Sequence, residues 1–217
     1  MNFEFYPELY QAARETFTML LIGLSSALVF GGFLGTQLFL WRPKGLSENL
    51  ILFYTLSTIV NVVRSFPFVI LLISVGPLTR MITGTSIGPV AAAVPLSIAA
   101  IAYYSRIVEL ALNDVSKGVI EAAVAMGAPL WRIIFGVLFI EARSSLILGF
   151  TNLVVSFISY SAAAGIVGGG GIGDLAIRYG YYRFQTDVMV VTVVGIILIV
   201  QIIQVFGGHL ASRYNRK

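Results

Sequence analysis

The chain has 217 residues, 58% of them hydrophobic and 11% charged, with a mean hydropathy of +0.91. A soluble protein carries about a quarter charged residues, so this composition excludes a soluble globular domain and points to an all-α polytopic membrane protein. Zero cysteines remove disulfides, Fe–S clusters and thiolate zinc sites, and the net charge of +4 lacks the clustered basic stripe that a nucleic-acid surface needs.

Residues 1–15 carry Glu4, Glu8 and Glu15 against Arg14. That sign is wrong for a signal-peptide n-region, so the sequence from Thr16 onward is predicted to be a retained first span. A span needs about 20 apolar residues. Five stretches qualify: residues 17–41, 51–79, 84–105, 144–167 and 188–208. The second contains Arg64. A charge at the centre of a span costs about 2.5–3.5 kcal/mol on the insertion scale. Arg64 must therefore face a partner helix or water, or lie near the end of its span. Pro67 just behind it predicts a bend.

Five spans put the two ends of the chain on opposite sides. The tail holds Arg213, Arg216 and Lys217, whereas the N-terminal arm is net acidic. The positive-inside rule predicts a cytoplasmic C-terminus and an outside N-terminus. Arg42, Lys44, Arg106, Lys117, Arg132 and Arg143 then fall inside with the tail, and Arg14, Arg80, Arg178 and Arg183 fall outside. No internal repeat is visible. An odd number of spans without a repeat suggests a half-unit that needs a second copy to enclose a path.

The interval from Arg106 to Arg143 is the one sizeable stretch assigned to the cytoplasm. Within it Val119, Ala122, Ala123 and Met126 recur at i, i+3, i+4 and i+7. That is the apolar stripe of a helix of about two turns, predicted over residues 118–127. Glu121 is placed in its first turn, where a negative charge suits the helix dipole. Gly127 fits the left-handed position after a helix end, and Pro129 suits the first turn of a following helix starting near Leu130. Periodicity alone leaves two uses open: a helix lying on the membrane surface, or one docking on another protein. A membrane-surface helix carries several Lys or Arg on its polar face. Here that face offers chiefly Glu121, which tilts the reading towards a protein partner.

Glu121-Ala122-Ala123, followed after three residues by Gly127, resembles the EAA motif of ABC-importer permeases. The usual continuation of that motif, Ile-x-Leu-Pro, reads Val137-Leu138-Phe139-Ile140 here and lacks the proline. Tyr54–Phe68, Gly84–Gly88, the pair Tyr160-Ser161 and Gly168–Tyr181 are similar to segments of methionine-importer permeases, so the resemblance covers nearly the whole chain. It implies a type I ABC-importer permease fold with a cytoplasmic coupling helix. Glu121, Ala122, Ala123, Met126 and Gly127 would dock that helix on a separate ATPase subunit. The resemblance further implies two copies of the chain, two ATP-binding cassette subunits, an external substrate-binding protein and a bacterial plasma membrane location. No cofactor would be bound by this chain, and ATP would be used by the partner. Family members often have Met shortly after the Tyr-Ser pair, where this chain has Ala162-Ala163-Ala164. A gate at Ala163 is therefore expected to be built differently, or to pass a different substrate.

Gly168–Gly171 with Gly173 invites comparison with a phosphate loop, but it lacks the Lys-Ser/Thr ending of a Walker A motif. Tight packing or flexibility permitted by missing side chains is the expected reading. By resemblance this loop faces the binding protein, with Asp174 and Arg178 as contacts. Asn152, Ser156, Ser159, Tyr160 and Ser161 are the polar residues of the fourth span, and Asn152, Ser156 and Ser159 share one side. Together with Arg64 they are candidates to line a path, the alternative for each being a hydrogen bond between helices. With no Cys and only His209, no catalytic dyad, triad or zinc site can be assembled, so the chain is expected not to be an enzyme. The reading that results is a methionine importer subunit. Another small amino acid or related metabolite is the alternative cargo, and a non-transporting membrane scaffold the alternative class.

Overall fold

The structure is a computed structural model that describes residues 6–214. Glu4, Arg216 and Lys217, which entered the charge comparison, lie outside them. Among the described residues every element is a helix. The first, α1, runs unbroken from Tyr6 to Trp41: α-helix Tyr6–Ser26, a π-helical turn at Ala27–Gly31, then α-helix Gly32–Trp41. It starts well before the uncharged stretch because Glu8 and Glu15 find partners inside the chain, described below.

Helix α2 (Leu50–Ser65) begins where the Asn49 side chain accepts the Leu52 N–H at 3.1 Å, a side-chain cap of an orphan donor. It ends at Phe66, whose backbone is extended (φ −70°, ψ 129°) as the residue before a proline must be. Helix α3 (Phe68–Ser74) then leaves at 105° to α2. Helix α4 (Gly76–Thr83) follows and is stopped by Gly84 at φ +76°. The stretch expected as one span over 51–79 is thus a sharply broken pair plus part of a third helix, and Arg64 lies one turn from the break.

Helix α5 (Pro89–Asn113) is followed by the short α6 (Lys117–Ala125) and by α7 (Leu130–Ile166), which contains a π-helical turn at Ile134–Leu138. Helix α8 (Gly171–Leu175) continues into a π-helical segment at Ala176–Tyr182, and α9 (Thr186–Tyr214) closes the chain. Four helices, α1, α5, α7 and α9, are long and apolar enough to cross a membrane, or five spans if the bent pair counts as one. Helix α5 extends past the expected 84–105, and α7 starts fourteen residues before the expected 144. The supposed loop from Arg106 to Arg143 therefore shrinks to residues 114–129. Charge misled the boundaries, because Arg106 is neutralised within its helix rather than solvated in a loop.

Helix α5 is the core of the bundle. Of its most apolar window 56% is buried, against 22%, 17% and 11% in α1, α7 and α9. The reason is residue size. Ala91, Ala92, Ala93, Ala99, Ala100, Ala102 and Ala111 are all buried on α5. In lipid, helices associate by close packing rather than by escaping water, so small residues mark their interfaces. Helix α1 answers with Gly31 and Gly35, four residues apart. A Cβ on Gly31 would stand 2.9 Å from the Ile101 carbonyl oxygen. Helix α9 is held to α7 in the same way, by Gly207 against Thr151.

Candidate functional site

Helix α6 is set between two spanning helices by a turn at each end. Its buried face is Ile120 and Ala123, which join the core formed with Ile133 and Leu138 of α7. Val119 and Met126 are 40% and 80% exposed, and Glu121 and Ala122 are exposed too. The stripe expected from periodicity is thus split. Ala123 turns inward, while Val119, Ala122 and Met126 face away from the chain. Glu121 is also misplaced by the sequence reading. The helix starts at Lys117, there is no acid in its first turn, and Glu121 stands at its middle, beyond the strongest part of the dipole. Four of the five expected docking residues, Glu121, Ala122, Met126 and Gly127, remain outward.

The end of α6 is built by hydrogen bonds. Gly127 N–H donates to the Val124 carbonyl at 2.9 Å, and Ala128 N–H to the Ala123 carbonyl at 3.1 Å. That pair of bonds is the Schellman closure, and it requires Gly127 at φ +71°. Pro129 caps α7, one position earlier than expected. The degenerate continuation at Val137–Ile140 overlaps the π-helical turn. Without a proline the helix stays continuous there, and α6 connects to α7 through the single turn at residues 126–129.

A second constellation forms at the break between α2 and α3. The Arg64 guanidinium carbon lies 5.3 Å from the Tyr103 ring centroid, a cation–π distance. Its Nε is buried without a hydrogen-bond partner among the described residues. Tyr160 stacks on Phe68, ring centroids 4.7 Å apart and planes 4° from parallel, and its hydroxyl donates to the Tyr103 hydroxyl at 3.3 Å. Two expected path residues, Arg64 and Tyr160, thus meet through Tyr103. Sequence reading missed Tyr103 and Phe68; the aromatic pair Tyr103-Tyr104 inside a span was the available signal. Asn152 and Ser156 are exposed on one side of α7, and Ala163 is half-buried. Ser161 parts from them. It is 2% exposed, and its hydroxyl donates to the Ile158 carbonyl at 2.8 Å.

A third cluster went unseen in the sequence. Arg106 pairs with Glu109 one turn on and donates to Asn61 Oδ1 at 3.0 Å and to the Ser57 side chain. The Arg–x–x–Glu spacing was its only trace. It ties α2 to α5. Arg42, at the end of α1, has its pKa lowered by burial, partly offset by the Glu109 carboxylate.

The glycine loop is a packing device. Gly168, Gly170 and Gly171 have φ of +86°, +75° and +84°. Gly171 N–H donates to Glu15 Oε2 at 2.7 Å, and Ile172 N–H to Thr16 Oγ1 at 2.9 Å. Two of the amides that a phosphate would use are therefore already taken by α1. Gly173 lies directly on Ala162 of α7. Asp174 and Arg178 pair with each other at 2.7 Å, and Tyr179 donates to Glu8 at 2.6 Å. That bond, ahead of desolvation and the carboxylate's charge, raises the Tyr179 pKa. Glu8 and Glu15 counted in the sequence only as charges; here Glu15 is a ligand of the loop and Glu8 of the π-helical segment behind it.

Comparison with known proteins accounts for this arrangement. A family model described as a binding-protein-dependent transport system inner membrane component matches residues 27–216. The chain is 44% identical to a probable D-methionine transport system permease protein MetI of Vibrio cholerae, over 96% of this chain and 93% of that one. It is also 44% identical to the methionine import system permease protein MetP of Bacillus subtilis, over 97% and 95%. A solved structure of inward-facing conformations of the MetNI methionine ABC transporter covers all of both chains at 37% identity and a TM-score of 0.96. An amino acid ABC transporter at 17% identity and a TM-score of 0.74 shares the fold. The chain belongs to the family of binding-protein-dependent transport system inner membrane components and is a multi-pass protein of the bacterial inner membrane.

Proposed function

We propose that this chain is the membrane-spanning subunit of an ATP-driven importer of methionine. The observation that carries the reading is full-length likeness, at 37% identity and a TM-score of 0.96, to the MetNI methionine ABC transporter. Similarity to MetI and MetP permeases supports the same cargo. In this reading two copies of the chain pair around the path, and an extracytoplasmic binding protein delivers the substrate near Asp174 and Arg178. Two ATPase subunits dock on the exposed face of α6, where Glu121, Ala122 and Met126 point outward. They hydrolyse ATP, and this chain performs no chemistry. In this reading α6 and the C-terminus lie in the cytoplasm, which the positive-inside rule supports. Closure of the ATPases moves α6 as a unit, because its Schellman turn and the packing of Ile120 and Ala123 in one core with Ile133 and Leu138 fix it to α7. The bundle then switches between two packed arrangements rather than deforming continuously. Arg64, Asn152, Ser156, Tyr160 and Ala163 are assigned to the path, and Ser161, buried and bonded to its own helix, is left out of it.

The test is uptake of labelled L- and D-methionine by cells that depend on this chain and its partner subunits. Uptake is expected with the intact chain. In Glu121→Arg/Met126→Asp, loss of uptake together with loss of ATPase binding is expected. No methionine uptake by an assembled, ATP-hydrolysing complex sinks the cargo assignment, and uptake of another amino acid instead would replace it. Undiminished uptake in the double variant removes the docking role of α6.

A further inference from the structure

A cavity of about 590 Å³ lies between α1, α7, α8 and α9, and Arg64, Tyr103 and Tyr160 do not line it. We propose that it holds one acyl chain of a membrane phospholipid whose phosphate sits on Arg14. The walls are apolar; Phe17, Leu21, Leu28, Ile158, Ile196 and Ile199 are representative. Three hydroxyl residues line it. The Thr16 hydroxyl accepts the Ile172 N–H, and the Ser161 hydroxyl donates to the Ile158 carbonyl. Ser25 is exposed. A polar ligand would lose its hydrogen bonds to water with little in return, whereas a hydrocarbon chain loses none.

Length also fits. The lining runs along α1 from Ala13 to Leu28, about 22 Å at 1.5 Å per residue. One leaflet of hydrocarbon is about 15 Å deep, half of a roughly 30 Å core. An acyl chain of one leaflet can therefore lie wholly inside. The end of the cavity near Ala13 carries the charge. Arg14 is exposed and stands on the same face of α1 as Phe17 and Leu21, three and seven residues on. It belongs to neither of the ion pairs among the described residues. A phosphate there gains a cation, and the chain below it fills the space. The polar path candidates Asn152 and Ser156 do not line the cavity, so a lipid in it would leave them clear.

The test is a native mass spectrum of the intact complex, extracted from vesicles of phosphatidylethanolamine and phosphatidylglycerol and washed with detergent. One retained phospholipid per copy of this chain is expected. Ile196→Trp fills the cavity and is expected to cut retention at least tenfold. Arg14→Gln alters only an exposed side chain and is expected to lower it severalfold, so it decides the matter if the tryptophan variant does not fold. Retention equal in wild type and Arg14→Gln means an annular lipid only and overturns the site, as does a wild type that retains none. The chain has no cysteine, which allows a further check with Phe17→Cys/Ile199→Cys. A disulfide between copies in that variant would mean that a second copy covers the cavity, and would overturn the lipid assignment.

Discussion

Two glycine turns in this protein look alike in sequence and differ in what surrounds them. Gly127 ends α6 at φ +71°, and a Cβ placed there meets nothing within 4 Å. The loop before α8 also turns on left-handed glycines, but its neighbours press on it from every side: Glu15 and Thr16 from α1, Ala162 and Ala164 from α7. The first turn is demanded by backbone conformation alone and leaves its helix face empty. The second is demanded by contact and is filled by the chain itself. An empty face beside a rigid turn suits an external partner, whereas a filled one is structure.

The largest expected effect tests the filled turn. Gly173→Leu drives a side chain into the Ala162 backbone, where the neighbour cannot yield. Overpacking of this kind costs about 1–3 kcal/mol and more where backbone must move. Loss of monodisperse protein on size-exclusion chromatography is expected, and a normal profile would mean that the neighbours of this turn can yield. Glu15→Ala strips the acceptor from the buried-loop Gly171 N–H and should destabilise by about 1–3 kcal/mol, read as a lowered melting temperature. Gly127→Ala meets no atom and should cost only the left-handed backbone penalty, about 1–2 kcal/mol. If it proves as damaging as Gly173→Leu, the empty turn is not empty in the assembled protein.

Smaller still is Glu121→Arg, an exposed change expected to shift stability by less than about 0.5 kcal/mol while weakening ATPase binding. The smallest concerns pH. Tyr179 donates to Glu8, which raises its pKa. The contact is then fully present below the ordinary tyrosine value of about 10 and is lost as pH rises through the raised value. Melting temperature followed from about pH 9 upward should fall in the wild type more than in Tyr179→Phe. Parallel curves would remove the contact from the account.

Much of α6 was legible because its determinants are local. A left-handed glycine, a proline two residues on and a short apolar period each act within a few residues, so α6 and its turn could be placed without a fold. Its facing could not. Ile120 is buried rather than Val119 because Ile133 and Leu138 happen to meet it, and period alone does not say which edge of a stripe finds a neighbour. Arg64 and Tyr160 were singled out separately as polar features of two spans. That they meet through Tyr103 depends on the 105° break at Pro67 and on the crossing of α5, neither of which has a sequence period. Span boundaries erred where charge was satisfied internally, at Arg106 and at Glu8 and Glu15.

By itself the sequence determined the membrane class, the position of the short helix and the glycine that ends it, because hydropathy and backbone conformation are properties of residues and their near neighbours. The tertiary structure alone decided that the acidic N-terminal helix serves as ligand to the glycine loop, that α5 is the core, and that α6 keeps one face free. Those depend on which groups satisfy one another across the bundle. Glu15 and Gly171, 156 residues apart, carry no mutual signal until the helices are packed.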